Sequence, residues 1–452
     1  MAVTCCGGAT YEWALGAFHR VAAEVPAYGQ ILREAGVDPS KIRTLEDFRT
    51  RVPVIDKPAT FGRFGVAELC RGGQLGRVAS VLTSSGHSGR FAYGLYGPED
   101  VETASDRIDD ALDAFFRVRT RSTLLVNCLP MGVKVYTRAC TLGETCVRAD
   151  MVTALVSAFG RHYEQVILVG ETAFIKHVLE LGQRQGLDWG SRLIHIVVGE
   201  EPLAENARKY LEILAGIQRK QPDKGLIVSS MGVAEIGLNL FFETPALIAV
   251  RRALHEDRTL RQAVLGPSAR NVPMLFTYDP SQLFVEVVGS RQLVVSTLAP
   301  DRRLPLIRYA TGDEAEFLNG NDGIAAAAEA GGMPADVLAS VPILCVEGRG
   351  QFALAGDVRV YPEQVKEGVY SDPALAGLTT ANFRLRSGSD RARVRIQLSP
   401  CVTAEPGLAD RFAGAIAHYV DAPIEVACET YDAFKSGMSL DYERKFGYLE
   451  CG

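Results

Sequence analysis

The sequence contains no apolar run approaching the roughly 18 residues needed to cross a bilayer. It opens on Met1-Ala2-Val3-Thr4-Cys5-Cys6-Gly7-Gly8, with no basic segment leading into an apolar core. Neither a membrane span nor a secretory leader is expected, and a cytoplasmic location is. An excess of positive charge is also missing: 48 Lys and Arg stand against 54 Asp and Glu, a net charge of -6. That balance argues against a dedicated nucleic-acid binder but leaves room for a locally basic pocket holding an anion. The ten cysteines form no CxxC pairs. They read as reduced thiols, and the loose group Cys128, Cys140 and Cys146 as buried thiols rather than a zinc site. Two catalytic signatures are absent as well. There is no GxxxxGK[ST] phosphate loop and no Gly-x-Ser-x-Gly nucleophile elbow, which disfavours P-loop nucleotidases and α/β hydrolases.

What is present suggests an α/β protein of more than one domain. At 452 residues the chain exceeds the usual size of a single domain, and its 47% hydrophobic content suffices for a large core. Tyr11–Val25 carries Leu15, Phe18, Ala22 and Val25 at helical spacing, and Thr44-Leu45-Glu46-Asp47 has the form of a capped helix start. Val78–Leu82, Thr123–Asn127, Gln165–Val169, Leu193–Val198 and Gly225–Ser229 are short aliphatic runs separated by helical stretches. Such runs are expected to be parallel strands buried on both faces. One intervening helix opens at Pro98-Glu99-Asp100 and ends near Arg117 and Arg119, charges that suit its dipole.

Beyond Ala249 the texture changes. Met274–Tyr278, Gln282–Val288 and Gln292–Leu298 are close-set and separated by turn residues, which predicts an antiparallel, barrel-like subdomain. The Ala- and Gly-rich stretch Asn319–Ser340 is expected to be a surface insertion. After Gly348 a smaller α+β unit is expected. It has strand-like Phe352–Val360, a helix from Pro362, strands near Arg391–Leu398 and a helix over Ala409–Tyr419. The division predicted is a core over 1–348 and a mobile lid over 349–452, in a monomer or homodimer.

Several strand ends carry chemistry. Thr83-Ser84-Ser85-Gly86-His87-Ser88-Gly89-Arg90 combines glycines that turn amides toward a ligand, hydroxyl donors and one cation, which suits a phosphate cradle. Gly199-Glu200-Glu201-Pro202 and Ser230-Met231-Gly232-Val233-Ala234-Glu235 follow predicted strands, at the ends where α/β folds bind ligands. Arg308-Tyr309-Ala310-Thr311-Gly312-Asp313 surrounds a tight turn, and Gly348-Arg349 stands at the expected boundary.

Taken in order, these segments resemble the adenylate-forming superfamily of acyl-CoA synthetases, peptide-synthetase adenylation domains and luciferases. The phenylacetate–CoA ligase branch is the most similar, and the likeness runs from about Val78 to the C-terminus. The resemblance implies a ligase that uses ATP and Mg²⁺ to convert a small acid, aromatic in that branch, to its acyl-AMP. Transfer to coenzyme A, a carrier-protein thiol or an amine would follow. It further implies that Ser84, Ser85, Gly86, His87, Ser88, Gly89 and Arg90 wrap the phosphates. Gly199, Glu200, Glu201, Ser230, Met231 and Gly232 would border the adenine, Asp313 would hold the ribose, and Arg349 would approach ribose and phosphate. Glu235 would hold Mg²⁺. Met131, Tyr136, Ala234 and Ile236 are candidates for the acid pocket, with core packing the other reading of Met131, Tyr136 and Ile236. Lys445, in Tyr442-Glu443-Arg444-Lys445-Phe446-Gly447-Tyr448, would be the adenylation lysine, with Lys435 as its competitor.

Four positions depart from the family pattern: His87 for Thr, Arg90 for Lys, Met231 for an aromatic residue and Ala234 for Thr. Ala234 cannot donate the hydroxyl bond expected toward the phosphate or acid, a loss of about 1.5–3 kcal/mol. Two alternatives therefore stand beside the carboxylate ligase. One is adenylation of another oxyanion, such as nitrite for attack by an aromatic amine; the other is a non-catalytic nucleotide-binding homologue.

Overall fold

The computed structural model describes residues 8–84, 90–130, 133–217, 225–318, 321–348, 350–438, 441–442 and 445–450. The chain begins with α1 (Gly8–Glu24), α2 (Pro26–Glu34) and α3 (Leu45–Arg51). Ala14, Ala17, Phe18 and Val21 line one face of α1 and are buried. Phe18 meets Phe48 of α3 edge-on at 5.8 Å. The start of α3 is a reciprocal cap: the Thr44 hydroxyl accepts from the Asp47 amide, and the Asp47 carboxylate accepts from the Thr44 amide.

β1 (Ser80–Thr83) and β2 (Tyr93–Tyr96) form an antiparallel hairpin. This corrects the expectation of a parallel strand from Val78. Only Leu82 of β1 is buried, because the hairpin stands apart from the large sheet. α4 (Pro98–Phe116) then leads into that sheet, and its Asp100 carboxylate accepts from the Gly97 amide.

The large sheet comprises β3 (Thr123–Asn127), β4 (Thr141–Glu144), β5 (Gln165–Gly170), β6 (Leu193–Val198), β7 (Ile227–Val233) and β8 (Gly237–Phe242). Its strand order is β4-β3-β5-β6-β7-β8, parallel except for the β7–β8 pair. The intervening helices are α5 (Ala149–Phe159), α6 (Thr172–Arg184) and α7 (Glu205–Ala215). Every residue of β3 and β5 is buried, so their sequences run apolar without alternation.

α8 (Pro245–Glu256) and α9 (Arg258–Leu265) precede an antiparallel sheet. It is built from β9 (Met274–Phe276), β10 (Leu283–Val288), β11 (Gln292–Thr297), β12 (Tyr309–Phe317) and β13 (Leu344–Gly348), in the order β10-β11-β12-β13-β9. The expected surface insertion contains α10 (Asp322–Ala330), and it is not merely surface. Ile324, Ala327 and Ala328 are buried against Ala246, Leu247 and Val250 of α8. Small alanines let the two helices approach closely, so a stretch poor in large residues still makes a core.

Beyond Gly348 come β14 (Ala353–Ala355), β15 (Val358–Val360), α11 (Pro362–Tyr370), α12 (Pro373–Gly377), β16 (Thr379–Arg386), β17 (Ala392–Leu398), α13 (Leu408–Ala417) and β18 (Ile424–Glu429). The last three strands form a sheet in the order β16-β17-β18. This C-terminal segment docks through α11. The buried Glu367 carboxylate accepts the amides of Glu205 and Asn206 at 2.8 and 3.0 Å. A residue of α11 thereby caps α7, whose own N-cap residue Ala204 has no side-chain acceptor. Asn206 donates onward to Tyr419, and the His255 ring stacks on Tyr419 at 6.4 Å. Among the described residues no helix is long and apolar enough to cross a membrane.

The N-terminal helices are fastened by Arg308. Its backbone sits at φ 50°, and its guanidinium donates to the carbonyls of Phe48, Arg49 and Val52, closing the end of α3. Its Nε pairs with the buried Glu286 at 3.1 Å. The segment after α3 then joins the edge of β12, with Ile55 exchanging backbone bonds with Arg308 and Ala310.

Two outcomes are expected. Arg308→Met leaves Glu286 buried without its cation, and urea denaturation is expected to show a loss of roughly 3–5 kcal/mol. Adding Glu286→Gln should recover part of that loss. The second outcome concerns pH. Burial pushes the Glu367 carboxyl up from 4.5 to about 7, and burial pushes the His255 imidazole down from 6.5 to about 4. The raised carboxyl stabilises the fold fully below its unfolded value, and this contribution is lost as pH rises toward 7. The lowered imidazole contributes above its unfolded value and loses its effect as pH falls. The two slopes oppose each other where they overlap. Glu367→Gln removes the carboxyl slope, so between about pH 4.5 and 7 the variant's unfolding free energy should climb by about 1 kcal/mol per unit relative to the parent.

Candidate functional site

The strands β5, β6 and β7 end side by side, and the loops that follow them make one edge of the site. The Gly199 amide donates to the Gly170 carbonyl at the end of β5, and the Glu201 amide donates to the Gly199 carbonyl at 2.9 Å. Glu200 lies between them at φ 72°, a left-handed backbone that turns its carboxylate out of the strand direction. One strand along, the Ser230 hydroxyl bonds Asn239 at 2.6 Å. A Cβ added to Gly232 would stand 2.9 Å from the Gly237 carbonyl, so the β7–β8 turn is too tight for a side chain there. Met231 is partly buried against the main core, and Ile236 lies within it.

The hairpin β1–β2 closes over that turn. A Cβ on Gly94 would lie 2.2 Å from the Ala234 carbonyl. Behind the turn, the Arg302 guanidinium donates to the carbonyls of Glu235 and Ile236. Glu235 is therefore fixed from its backbone outward. Its buried carboxylate accepts from the Tyr309 hydroxyl at 2.5 Å, and the Lys57 ammonium stands 3.9 Å away. Burial pushes the Tyr309 phenol well above its ordinary range, and the adjoining carboxylate pushes it further. Lys57 also reaches the Ser84 hydroxyl at 3.2 Å, and that hydroxyl accepts from the Ala92 amide at the mouth of the hairpin.

Lys57 was not among the residues that the sequence marked. Its signal is faint: a lysine two residues beyond Ile55, between Pro53 and Pro58, which read only as helix breakers. The structure gives it a role because Ile55 is pinned to β12 next to Tyr309. Lys57 thus joins the start of the expected phosphate cradle to the expected Mg²⁺ carboxylate. Among the described residues no group of three acidic, histidine or cysteine side chains could hold a metal ion by itself. A lone carboxylate does fit a Mg²⁺ ion that takes its other ligands from phosphate oxygens and water.

The other expected site residues distribute as follows. Arg90 is exposed, and its guanidinium packs on Gly62 so closely that a Cβ there would clash at 1.9 Å. Asp313 lies on β12, just past Gly312 at φ 87°, and its amide donates to Thr311. The Tyr136 hydroxyl bonds Ser80 at 2.5 Å, and its ring lies 6.2 Å from that of Tyr96. Ser85, Gly86, His87, Ser88, Gly89, Met131 and Arg349 lie outside the described residues.

The far end of the chain returns to this edge. Tyr442 packs edge-on against Phe174 at 5.1 Å and stacks on His177 of α6. The Tyr448 hydroxyl donates to Glu201 at 2.9 Å, on the same oxygen that Lys366 of α11 approaches at 2.5 Å. The Glu201 carboxylate is thus turned to the C-terminal segment. Lys445 stands between the two tyrosines in sequence. Burial raises the Glu200 carboxyl above its ordinary range, Lys445 pulls it back, and Glu201 raises it. Glu171 is raised mainly by burial, further by Glu201 and Glu200, and is pulled back by Lys366 and Lys445. Lys435, the competing lysine, is exposed.

Neither family models nor curated protein sequences give a match to this chain. Solved structures do. A 2-hydroxyisobutyryl-CoA ligase in the postadenylation state, in complex with R3-HIB-AMP, superposes with a TM-score of 0.70 at 13% identity, covering 98% of this chain and 88% of that one. The same ligase in an open conformation with 2-HIB-AMP and CoA gives 0.55 at 15% identity, over 98% and 91% of the two chains. An anthranilate CoA ligase in complex with anthranoyl-AMP gives 0.51 at 12% identity, over 94% and 79%. Across nearly its whole length, the chain has the fold of the adenylate-forming acyl-CoA ligases.

Proposed function

We propose that this protein is an ATP-dependent ligase that activates a small carboxylic acid as its acyl-AMP and passes the acyl group to a thiol. The observation that carries the reading is the placement of Lys445. The chain on either side of this lysine is folded back onto the core: Tyr442 packs on Phe174 and His177 of α6, and the Tyr448 hydroxyl donates to Glu201 in the loop after β6. Support comes from the postadenylation structures, which resemble the whole chain with TM-scores of 0.70 and 0.67.

In the first step a carboxylate oxygen attacks the α-phosphorus of ATP, the bond to the β-phosphate oxygen breaks, and pyrophosphate leaves. Little covalent help is needed from protein; two anions must be held in line and their charge neutralised. Asp313 accepts from the ribose hydroxyls, and Met231 covers the adenine. Ser84 begins the phosphate cradle, and Lys57 neutralises charge on the departing pyrophosphate. Lys445 stabilises the charge that grows on the α-phosphate. Glu235 would hold Mg²⁺, which would supply further charge neutralisation. In the second step a thiolate attacks the acyl carbonyl and AMP leaves.

We take coenzyme A as the thiol, and the boundary near Gly348 as the joint between core and lid. The ring pair Tyr96–Tyr136 favours a flat, aromatic acid. Ala234, which offers no hydroxyl, keeps a second oxyanion such as nitrite in view.

The test is Mg²⁺-dependent exchange of labelled pyrophosphate into ATP across a panel of aromatic acids, small hydroxy acids and nitrite. Exchange is expected with at least one acid. Lys445→Ala should lower it roughly 10²–10³-fold, as loss of a charge-stabilising donor does, and Lys435→Ala should leave it near the parent rate. Absence of exchange with every acid, or full exchange in Lys445→Ala, would overturn the reading.

A further inference from the structure

Lys445 is flanked three residues on either side by a tyrosine, one mounted on helix α6 and the other on the loop after β6. Tyr442 lies against Phe174 and His177 of α6. Tyr448 binds Glu201, in the loop after β6. The second mount is the more elaborate. Glu201 accepts from Tyr448 and from Lys366 on one oxygen, and the Lys366 ammonium also stands 4.2 Å above the Tyr448 ring. Lys366 and Glu201 side chains are both nearly closed to solvent. An ion pair so enclosed is held in one geometry, since each charge has lost its water and depends on the other.

The segment beyond Lys445 is stiff on the opposite side as well. The Tyr448 carbonyl accepts from the Leu385 amide at 2.8 Å, and the Glu450 amide donates to the Leu385 carbonyl at 3.0 Å, so Leu449 makes a parallel bridge to β16. Phe383 and Phe446 pack the Tyr448 ring at 4.6 and 5.1 Å. The neighbour of Lys366 in sequence, Glu367, caps α7. One turn of α11 therefore grips both ends of the loop between β6 and α7.

We propose that Glu201, Lys366 and Tyr448 form a positioning mount that sets Lys445 at the α-phosphate, with Tyr442 as its second foot. This rests on Lys445 being the adenylation lysine. In this account Glu201 has a task other than touching adenine: it is the contact by which the core selects where the lysine stands. Tyr448 and Lys366 act through Lys445 and touch no reacting atom. They should govern the rate of the adenylation step and leave binding of the acid unaltered.

The first measurement needs no substrate. Lysines of the intact protein are acetylated briefly with acetic anhydride and quantified by mass spectrometry. Lys445 is expected to react about five- to tenfold faster in Glu201→Gln and Tyr448→Phe than in the parent, while exposed Lys435 is unchanged. The second is ATP–pyrophosphate exchange with the most active acid of the panel. Both variants should lose tenfold or more in kcat, with KM for the acid within twofold of the parent. Tyr448→Phe removes one hydroxyl only and guards against loss of folding in the charge variant.

If Lys445 labelling and exchange stay at parent levels in both variants while Lys445→Ala is inactive, the mount is wrong and the lysine assignment stands. If labelling rises but Lys445→Ala exchanges at the parent rate, the lysine assignment fails and the positioning role falls with it. Raised labelling together with a kcat-selective loss supports the proposal.

Discussion

One buried guanidinium ties together parts of this molecule that are far apart in sequence. Arg308 takes the last carbonyls of α3, pairs with Glu286 and, through its own backbone, receives Ile55. Its neighbour Tyr309 then reaches Glu235, and two residues past Ile55 comes Lys57. The charged corner of the site is thus an extension of a structural contact. A guanidinium can serve this way because its donors form a rigid fork that satisfies several carbonyls at once and remains charged. Its left-handed backbone angle shows that the surrounding packing over-determines its place.

The residues of the candidate site come from two stretches of the chain. Glu235 is held from behind by Arg302, from the side by Tyr309 and from the front by Lys57, all within the first 348 residues. Lys445 arrives on the C-terminal segment and meets a loop whose carboxylates are already crowded. Burial raises the proton affinity of Glu171 and Glu200 and the neighbouring Glu201 adds to both, while Lys445 relieves both and Lys366 relieves Glu171. Such a cluster disfavours its own ionisation until cations come. The docked arrangement is therefore matched in charge as well as in shape.

Much of the fold was legible because burial writes itself into sequence. β3 and β5 have uninterrupted apolar centres and β6 is apolar apart from His195, and the capped start of α3 follows from Thr44 and Asp47. The misreadings have physical causes. Val78–Leu82 is as aliphatic as its parallel counterparts, yet Val81 points to solvent; composition cannot tell a hairpin from a sheet strand. Asn319–Ser340 lacks large residues, and that scarcity hid a close helix contact. At the site, glycines and turn residues marked the loops, whereas Lys57 and Lys366 carried no local mark. Both owe their positions to a contact distant in sequence: the Ile55–β12 bridge for one and the docking of α11 for the other. Glu201 was found as a loop residue, but the direction of its side chain depends on chain that comes 165 and 247 residues later.

The cap on α7 has a consequence for the order in which the molecule is made. A ribosome releases α6, α7 and the loop after β6 long before α11 and β16 exist. Until then the first amides of α7 have no acceptor, and the Lys176 ammonium, buried in the finished protein, lacks the Thr379 carbonyl that it bonds at 2.6 Å. These groups must stay hydrated while they wait, because an unpaired polar group enclosed in protein costs more than one left in water. The nascent chain therefore keeps a wet face where the C-terminal segment will pack. The final compaction of that face waits until residues 349–452 have been made and displace the water.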